Sequence, residues 1–192
     1  MREDLPARME HGGRVRCHRA RERDELLDFS ANVNPYPPRI PWTPDLSVLK
    51  DYPDDRYALL KEVIGRAFGR DPSEVTVGNG SVELIRAFCS AVLGGGDTAC
   101  IKPPTFAEYE MAVRLAGARC TPDEDGAAVR FLCNPNNPTG LLKTRPELLR
   151  LLERTAGQGA CLFLDEAFIE LSDPRQSLAD VSHENLFVLR SL

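Results

Sequence analysis

The sequence lacks a basic excess, a long apolar run, a paired-cysteine motif and a histidine cluster, and each absence removes a class of function. Lysine and arginine number 24 against 29 aspartates and glutamates, a formal net charge of −5. A chain so balanced carries no electrostatic footprint for nucleic acid. Its most basic stretch, Arg14, Arg16, Arg19, Arg21 and Arg23, is mixed with Glu22, Asp24 and Glu25 and reads as a solvated arm. No apolar run approaches the ~20 residues that span a bilayer. Met1-Arg2-Glu3-Asp4 lacks the apolar core of a secretory signal. The six cysteines contain no Cys-x-x-Cys, and His11, His18 and His183 are scattered, so no zinc site is expected. Cys100, Cys133 and Cys161 lie in or beside apolar runs, where a free thiol packs as a small hydrophobe. Reduced thiols and a cytoplasmic location are expected.

What is present is core material, 42% of the residues, arranged in alternating periods. The first fifty residues are rich in proline and arginine. Asn34-Pro35-Tyr36-Pro37-Pro38 and Pro41-Trp42-Thr43-Pro44 argue against helix there. Beyond them Tyr57, Leu60, Val63, Ile64, Ala67 and Phe68 recur at helical spacing up to Gly69. Short apolar runs at 75–77, 98–101, 119–121, 129–132, 161–164 and 186–189 read as strands. Residues 81–93, 105–115 and 144–156 read as helices. Two of these carry capping-box spacing, Thr105 with Glu108 and Thr144 with Glu147, and Gly157 is the expected stop of the last. Strand–helix alternation predicts an α/β fold, a mostly parallel sheet sandwiched by helices. Residues 1–50 form an irregular N-terminal arm or part of a small domain, and residues 51–192 a portion of a large domain.

Two apolar runs end in polar motifs. The first delivers Asn134-Pro135-Asn136-Asn137-Pro138-Thr139-Gly140, the second Asp165-Glu166-Ala167-Phe168. Parallel strands bring their carboxyl ends to one crevice, so Asn137 and Asp165 are expected together there. Upstream, Val77-Gly78-Asn79-Gly80-Ser81-Val82 leads from a strand through two glycines into a helix. Glycine lets backbone approach an anion, and a helix start offers free N–H groups. Glu83 stands where a dinucleotide fingerprint needs its third glycine, and no Walker lysine is present, which disfavours a nucleotide-binding protein.

These motifs, in this order, resemble the class I/II aminotransferase family of fold-type I pyridoxal phosphate (PLP) enzymes. The resemblance implies PLP as cofactor, its phosphate on Gly80, Ser81 and Val82 and its ring stacked on Phe106, with Tyr109 as the fallback. It further implies Asn137 donating to the phenolic oxygen of the ring and Asp165 against the pyridine nitrogen. A buried carboxylate there keeps the nitrogen protonated, which makes the ring a better electron sink for chemistry at Cα. The wider family usually has a tyrosine at the position of Phe168 donating to the same phenolic oxygen, and Phe168 cannot donate. Tyr52, in Tyr52-Pro53-Asp54, matches a motif whose tyrosine reaches the phosphate of a neighbouring subunit, which implies a homodimer with a shared site. In this family the lysine that anchors the cofactor covalently follows a further strand. Residues 185–192 look like that strand and the start of its turn. None of Lys50, Lys61, Lys102 and Lys143 has the required context. The chain is accordingly read as the N-terminal part of such an enzyme, inactive alone.

Within the family, His11-Gly12-Gly13 and Leu27-Asp28-Phe29-Ser30-Ala31-Asn32-Val33-Asn34-Pro35 resemble threonine-phosphate decarboxylases of cobamide synthesis, with Asn32 over the substrate. Histidinol-phosphate aminotransferases, their close relatives, share the Asn-rich segment. Both handle small phosphorylated amino compounds, and the two reactions differ in which Cα bond stands perpendicular to the ring. A non-catalytic α/β module of the same fold is the remaining alternative.

Overall fold

The computed structural model describes residues 29, 36 and 39–191. The readings that fall on Asn32, His11-Gly12-Gly13 and the arginine cluster lie outside these residues. The chain divides into two compact units, one ending at Asp55 and one built on residues 56–192. Among the described residues of the first, Leu46–Lys50 forms a 3₁₀ turn whose start is capped by Asp45 accepting from the Ser47 N–H at 2.9 Å. Tyr52 is fully exposed.

The second unit is a five-stranded parallel sheet, β1 (Thr98–Cys100), β2 (Arg119–Thr121), β3 (Val129–Cys133), β4 (Cys161–Asp165) and β5 (Leu186–Leu189), in the order β2-β1-β3-β4-β5. Helices α1 (Ala58–Phe68), α2 (Ser81–Val92), α3 (Glu108–Leu115) and α4 (Arg145–Gly157) connect and cover it. Side chains alternate across a strand, and the sheet has two different apolar faces. Val129, Phe131, Cys133 and Phe163 meet α2 and α3 through Ile85, Cys89, Tyr109 and Val113. Phe88 packs its ring 4.7 Å from those of both Phe163 and Phe187. On the opposite face Leu162, Leu164 and Leu186 meet α4 through Leu148, Leu151 and Leu152. Most leucines of one cluster and aromatics of the other are buried outright, and burial of each such side chain stabilises by roughly 1.5–3 kcal/mol.

Helix α4 carries the expected capping box. Thr144 N–H and hydroxyl both donate to Glu147, at 2.8 and 2.6 Å. The helix ends at Gly157 as expected, with Gln158 as its cap and the left-handed Gly159, at φ +71°, just beyond. The other expected capping box does not form. Helix α3 starts at Glu108 rather than Thr105, with Ala107 as its cap. The Thr105 hydroxyl donates instead to Asn136 Oδ1 at 2.8 Å, and buried Glu108 receives Arg86 at 3.0 Å. Residues 75–77 also differ from expectation. They form no strand; the sheet ends at β5, and the segment pairs with no strand among the described residues. Helix α1 buries only Gly65, where a Cβ would stand 2.6 Å from the Arg70 carbonyl oxygen.

Candidate cofactor site

The register of the central strands places Cys133 beside Asp165, the last residues of β3 and β4. The Asn134 N–H donates to the Asp165 carbonyl at 2.7 Å, so the Asn-rich turn leaves the sheet directly alongside Asp165. Both polar motifs therefore emerge at the carboxyl edge of a parallel sheet, the edge where such sheets hold ligands.

Within the turn the three asparagines divide their work. Asn134, fully buried, takes the Lys143 N–H on Oδ1 at 2.7 Å and donates Nδ2 to the Lys143 carbonyl at 3.1 Å. Asn136 donates to the Pro104 carbonyl at 3.0 Å and to the Thr139 hydroxyl at 2.8 Å. These two bind the loop to itself and to the segment after β1. Asn137 is left over: its half-buried side chain has no hydrogen-bond partner among the described residues. Its backbone N–H reaches the Cys133 thiol, and that thiol contacts the Tyr109 hydroxyl.

Asp165 is 3% exposed. Oδ2 accepts the Tyr109 hydroxyl at 2.6 Å, and Oδ1 accepts the Ala167 N–H at 2.9 Å. Burial pushes its carboxyl pKa up, against the pull of these two donors. Tyr109 is itself driven up by burial and by the Asp165 charge, so it stays a neutral donor. An ionised carboxylate in this position lacks a cation among its partners. The site thus fits a group that presents a protonated, ring-bound nitrogen. Tyr109 cannot stack on that ring, since it lies stacked on Phe131 with centroids 5.1 Å apart and 22° between planes. Phe106 is half-buried, edge-on to Tyr109 at 5.6 Å, which leaves its ring beside the Tyr109–Asp165 pair.

The last turn of α2 joins the start of β1 through residues 93–97, so its amino end points toward the carboxyl edge of the sheet. Gly80 caps it at φ +85°, a conformation that disfavours any side chain. The Gly80 N–H is committed to the Gly78 carbonyl at 2.9 Å, and Asn79 N–H to the Glu83 carboxylate. Ser81 and Val82 keep backbone N–H groups without partners among the described residues, as the first turn of a helix does. An anion placed there would meet Ser81 and Val82 rather than the Gly80 N–H.

Three features escaped sequence reading. The Tyr109 hydroxyl on Asp165 is long-range, 56 positions apart, and no local spacing signals it. Glu166, fully buried, accepts Ser177 Oγ at 2.5 Å, the Leu178 N–H at 2.8 Å and Arg190 Nη1 at 2.9 Å. It ties the end of β4 to the chain after β5. The Thr105–Asn136 bond is the third.

A buried carboxylate on one central strand, an Asn-rich turn on the next and a glycine-led helix start define a ligand-holding edge of an α/β sheet. Sequence comparison gives the class. Residues 24–125 and 120–192 match the family model described as aminotransferase class I and II, and the chain belongs to that family. It is 31% identical over 184 residues to histidinol-phosphate aminotransferase 2 of Archaeoglobus fulgidus, with 87% of this chain and 53% of the relative covered. It is 33% identical over 196 residues to threonine-phosphate decarboxylase of Salmonella typhimurium, with coverages of 88% and 52%. Among solved structures, L-threonine-O-3-phosphate decarboxylase from Porphyromonas gingivalis superposes with a TM-score of 0.65 at 26% identity, covering 76% of this chain and 50% of that one. The chain spans about half the length of the curated relatives it matches.

Proposed function

We propose that this chain supplies the cofactor-holding sheet of a PLP-dependent enzyme acting on a small phosphorylated amino compound, with decarboxylation of L-threonine-O-3-phosphate in cobamide biosynthesis as the reaction. The observation that carries the cofactor reading is Asp165, buried at a strand end with hydrogen-bond donors on both oxygens and no cation among the described residues. When bound, PLP supplies an electron sink for bond cleavage at Cα. Asp165 would hold a proton on the pyridine nitrogen by charge pairing, and Tyr109 and the Ala167 N–H orient its carboxylate. Asn137 would donate its free amide to the phenolic oxygen, with no second donor from Phe168. Phe106 would cover one ring face. Ser81, Val82 and the loop of Gly80 would hold the phosphate at the positive end of α2.

His11-Gly12-Gly13 supports decarboxylation over amino transfer. Histidinol-phosphate aminotransferase is the second reading, because relatives of both names match at similar identity, 31% and 33%. The full-length protein supplied with PLP should release CO₂ from L-threonine-O-3-phosphate without a keto-acid acceptor. Amino transfer from histidinol phosphate to 2-oxoglutarate, with no CO₂ from threonine phosphate, would establish the second reading instead. Turnover of neither would remove both.

Tyr52 and Asn32 enter this reading through the motifs around them, Tyr52 to a neighbouring subunit's phosphate and Asn32 to the substrate. The full-length protein should then sediment as a homodimer, and Tyr52→Phe should loosen PLP severalfold without changing the oligomer. A fully active monomer would remove the shared site.

A further inference from the structure

The sheet face that carries Arg130 and Leu132 is the one opposite Asp165 and Cys133, since adjacent residues of β3 alternate across the sheet. There α4 packs over Leu162, Leu164 and Leu186, and beside it a cavity of about 350 Å³ opens between β1, β3 and α4. Its lining is heavily cationic. Lys102, Arg130, Lys143, Arg150 and Arg154 face two carboxylates, Glu124 and Glu147, a formal +3 in a chain whose net charge is −5. Glu147 is already engaged by the Thr144 cap. Glu124 alone serves both Lys102, at 2.5 Å, and Arg130 Nη2, at 2.7 Å.

Arg130 is the decisive group. It is 5% exposed, and its Nε and Nη1 have no hydrogen-bond partner among the described residues. A guanidinium stays ionised when buried and demands acceptors for its planar fork. A buried arginine with one edge paired and the other enclosed without an acceptor carries charge that an anion lodged beside it would balance. Arg150 and Arg154 stand one turn apart on α4, in line with Glu147 and Leu151, so the helix presents a cationic stripe to the same space. Cys100, Leu132 and Leu151 supply an apolar wall. Burial raises the Cys100 thiol, which argues for binding rather than nucleophilic chemistry here.

We propose that this cavity is a second ligand site, binding a small polyanionic metabolite whose clustered oxygens, of a phosphate ester or a polycarboxylate, balance the Arg130 charge and meet Arg150 and Arg154. It opens on the α4 side of the sheet, reaches the carboxyl edge at Cys133 and Asn136, and stands independently of the cofactor reading. The size suits a metabolite-scale ligand, and its role is that of an effector: Glu124 is held by Lys102 and Arg130, Glu147 by the Thr144 cap, and burial raises the Cys100 thiol.

The test uses full-length protein saturated with PLP, so that the α2 phosphate position is filled, titrated calorimetrically at low ionic strength with inorganic phosphate and, separately, with citrate. One saturable site per chain is expected for at least one of the two. Tighter phosphate binding identifies a phosphate ester as the natural class, and tighter citrate binding a polycarboxylate. Arg130→Met should weaken binding about tenfold or more, as loss of a charge-assisted hydrogen bond does. The exposed pair Arg150→Gln with Arg154→Gln should weaken it comparably while leaving PLP content and thermal midpoint unchanged, which decides the matter if Arg130→Met folds poorly. Absence of saturable binding of both anions, or equal binding by the wild-type and the Arg150/Arg154 variant, overturns the proposal.

Discussion

Asp165→Asn in the full-length protein is expected to lower turnover by about 10³-fold while raising the thermal midpoint of the cofactor-free protein by a few °C. The two effects have one cause. Asp165 is a buried carboxylate with no cation beside it among the described residues, so its ionised form is unfavourable until a positive partner arrives. A charge pair at about 4 Å is worth roughly 4 kcal/mol at an effective dielectric near 20, and each ~1.4 kcal/mol is tenfold in rate. Asparagine keeps the local hydrogen bonds: its oxygen can take the Ala167 N–H, and its amide can donate to the Tyr109 oxygen. Only the charge is removed. The sign follows from linkage. Burial raises the native pKa above 3.8, so between the unfolded and native values the native state binds more protons. Stability of the cofactor-free protein therefore falls as pH rises through that window and stays lowered above it. The asparagine variant lacks this fall, and its advantage should vanish below pH 3.8. For a chain of this size about 1 kcal/mol corresponds to roughly 2–4 °C. Thermal melts of both proteins across pH, with turnover at neutral pH, check it; a variant that retains near-normal turnover would remove the electronic role of Asp165.

Glu166→Ala is expected to destabilise the fold by about 3–5 kcal/mol, the usual consequence of removing one partner of a buried ion pair. Glu166 is 0% exposed and holds Arg190, the Ser177 hydroxyl and the Leu178 N–H at once. Without it Arg190, 14% exposed and seated over the Phe68 ring at 4.8 Å, keeps a charge with an exposed partner, Glu170, and an Nε unpartnered among the described residues. On this reading the neighbouring pair of acids divides: Asp165 would cost stability and serve the proposed cofactor, while Glu166 would stabilise the fold. Urea unfolding with an unchanged slope and a much lower midpoint is the expected result. A shift below about 1 kcal/mol, the range of a surface pair, would show that the Glu166 network carries little.

The fold was legible wherever period and length agreed. Residues 129–132, 161–164 and 186–189 became β3, β4 and β5, and the Thr144–Glu147 box opened α4, because each signal is local. Readings failed where a distant partner captured a side chain. Thr105 has the spacing of a cap, but Asn136 takes its hydroxyl and α3 starts three residues later. Residues 75–77 have strand composition, yet a strand exists only with a neighbour to pair with. The candidate site was readable only as an order of motifs: parallel topology puts the Asn-rich turn and Asp165 at one sheet edge, and the Asn134 N–H on the Asp165 carbonyl shows them side by side there. That Asn134 and Asn136 serve the loop, leaving the Asn137 side chain without a partner among the described residues, requires the hydrogen-bond pattern. So does the tyrosine on Asp165, whose hydroxyl meets the carboxylate only once α3 is laid across the sheet. Arg130 sits in an apolar strand and no local pattern marks it; only the open cavity beside it does.

The most direct measurement is the protonation state of the cofactor nitrogen. Full-length protein loaded with PLP carrying ¹⁵N in the ring, examined by NMR near pH 8, should show a protonated pyridine nitrogen in the wild type. In Asp165→Asn the same nitrogen should be unprotonated, with PLP bound more weakly. Identical ¹⁵N shifts in the two proteins would contradict the account, because the buried carboxylate at the end of β4 would then not be the partner of the cofactor ring.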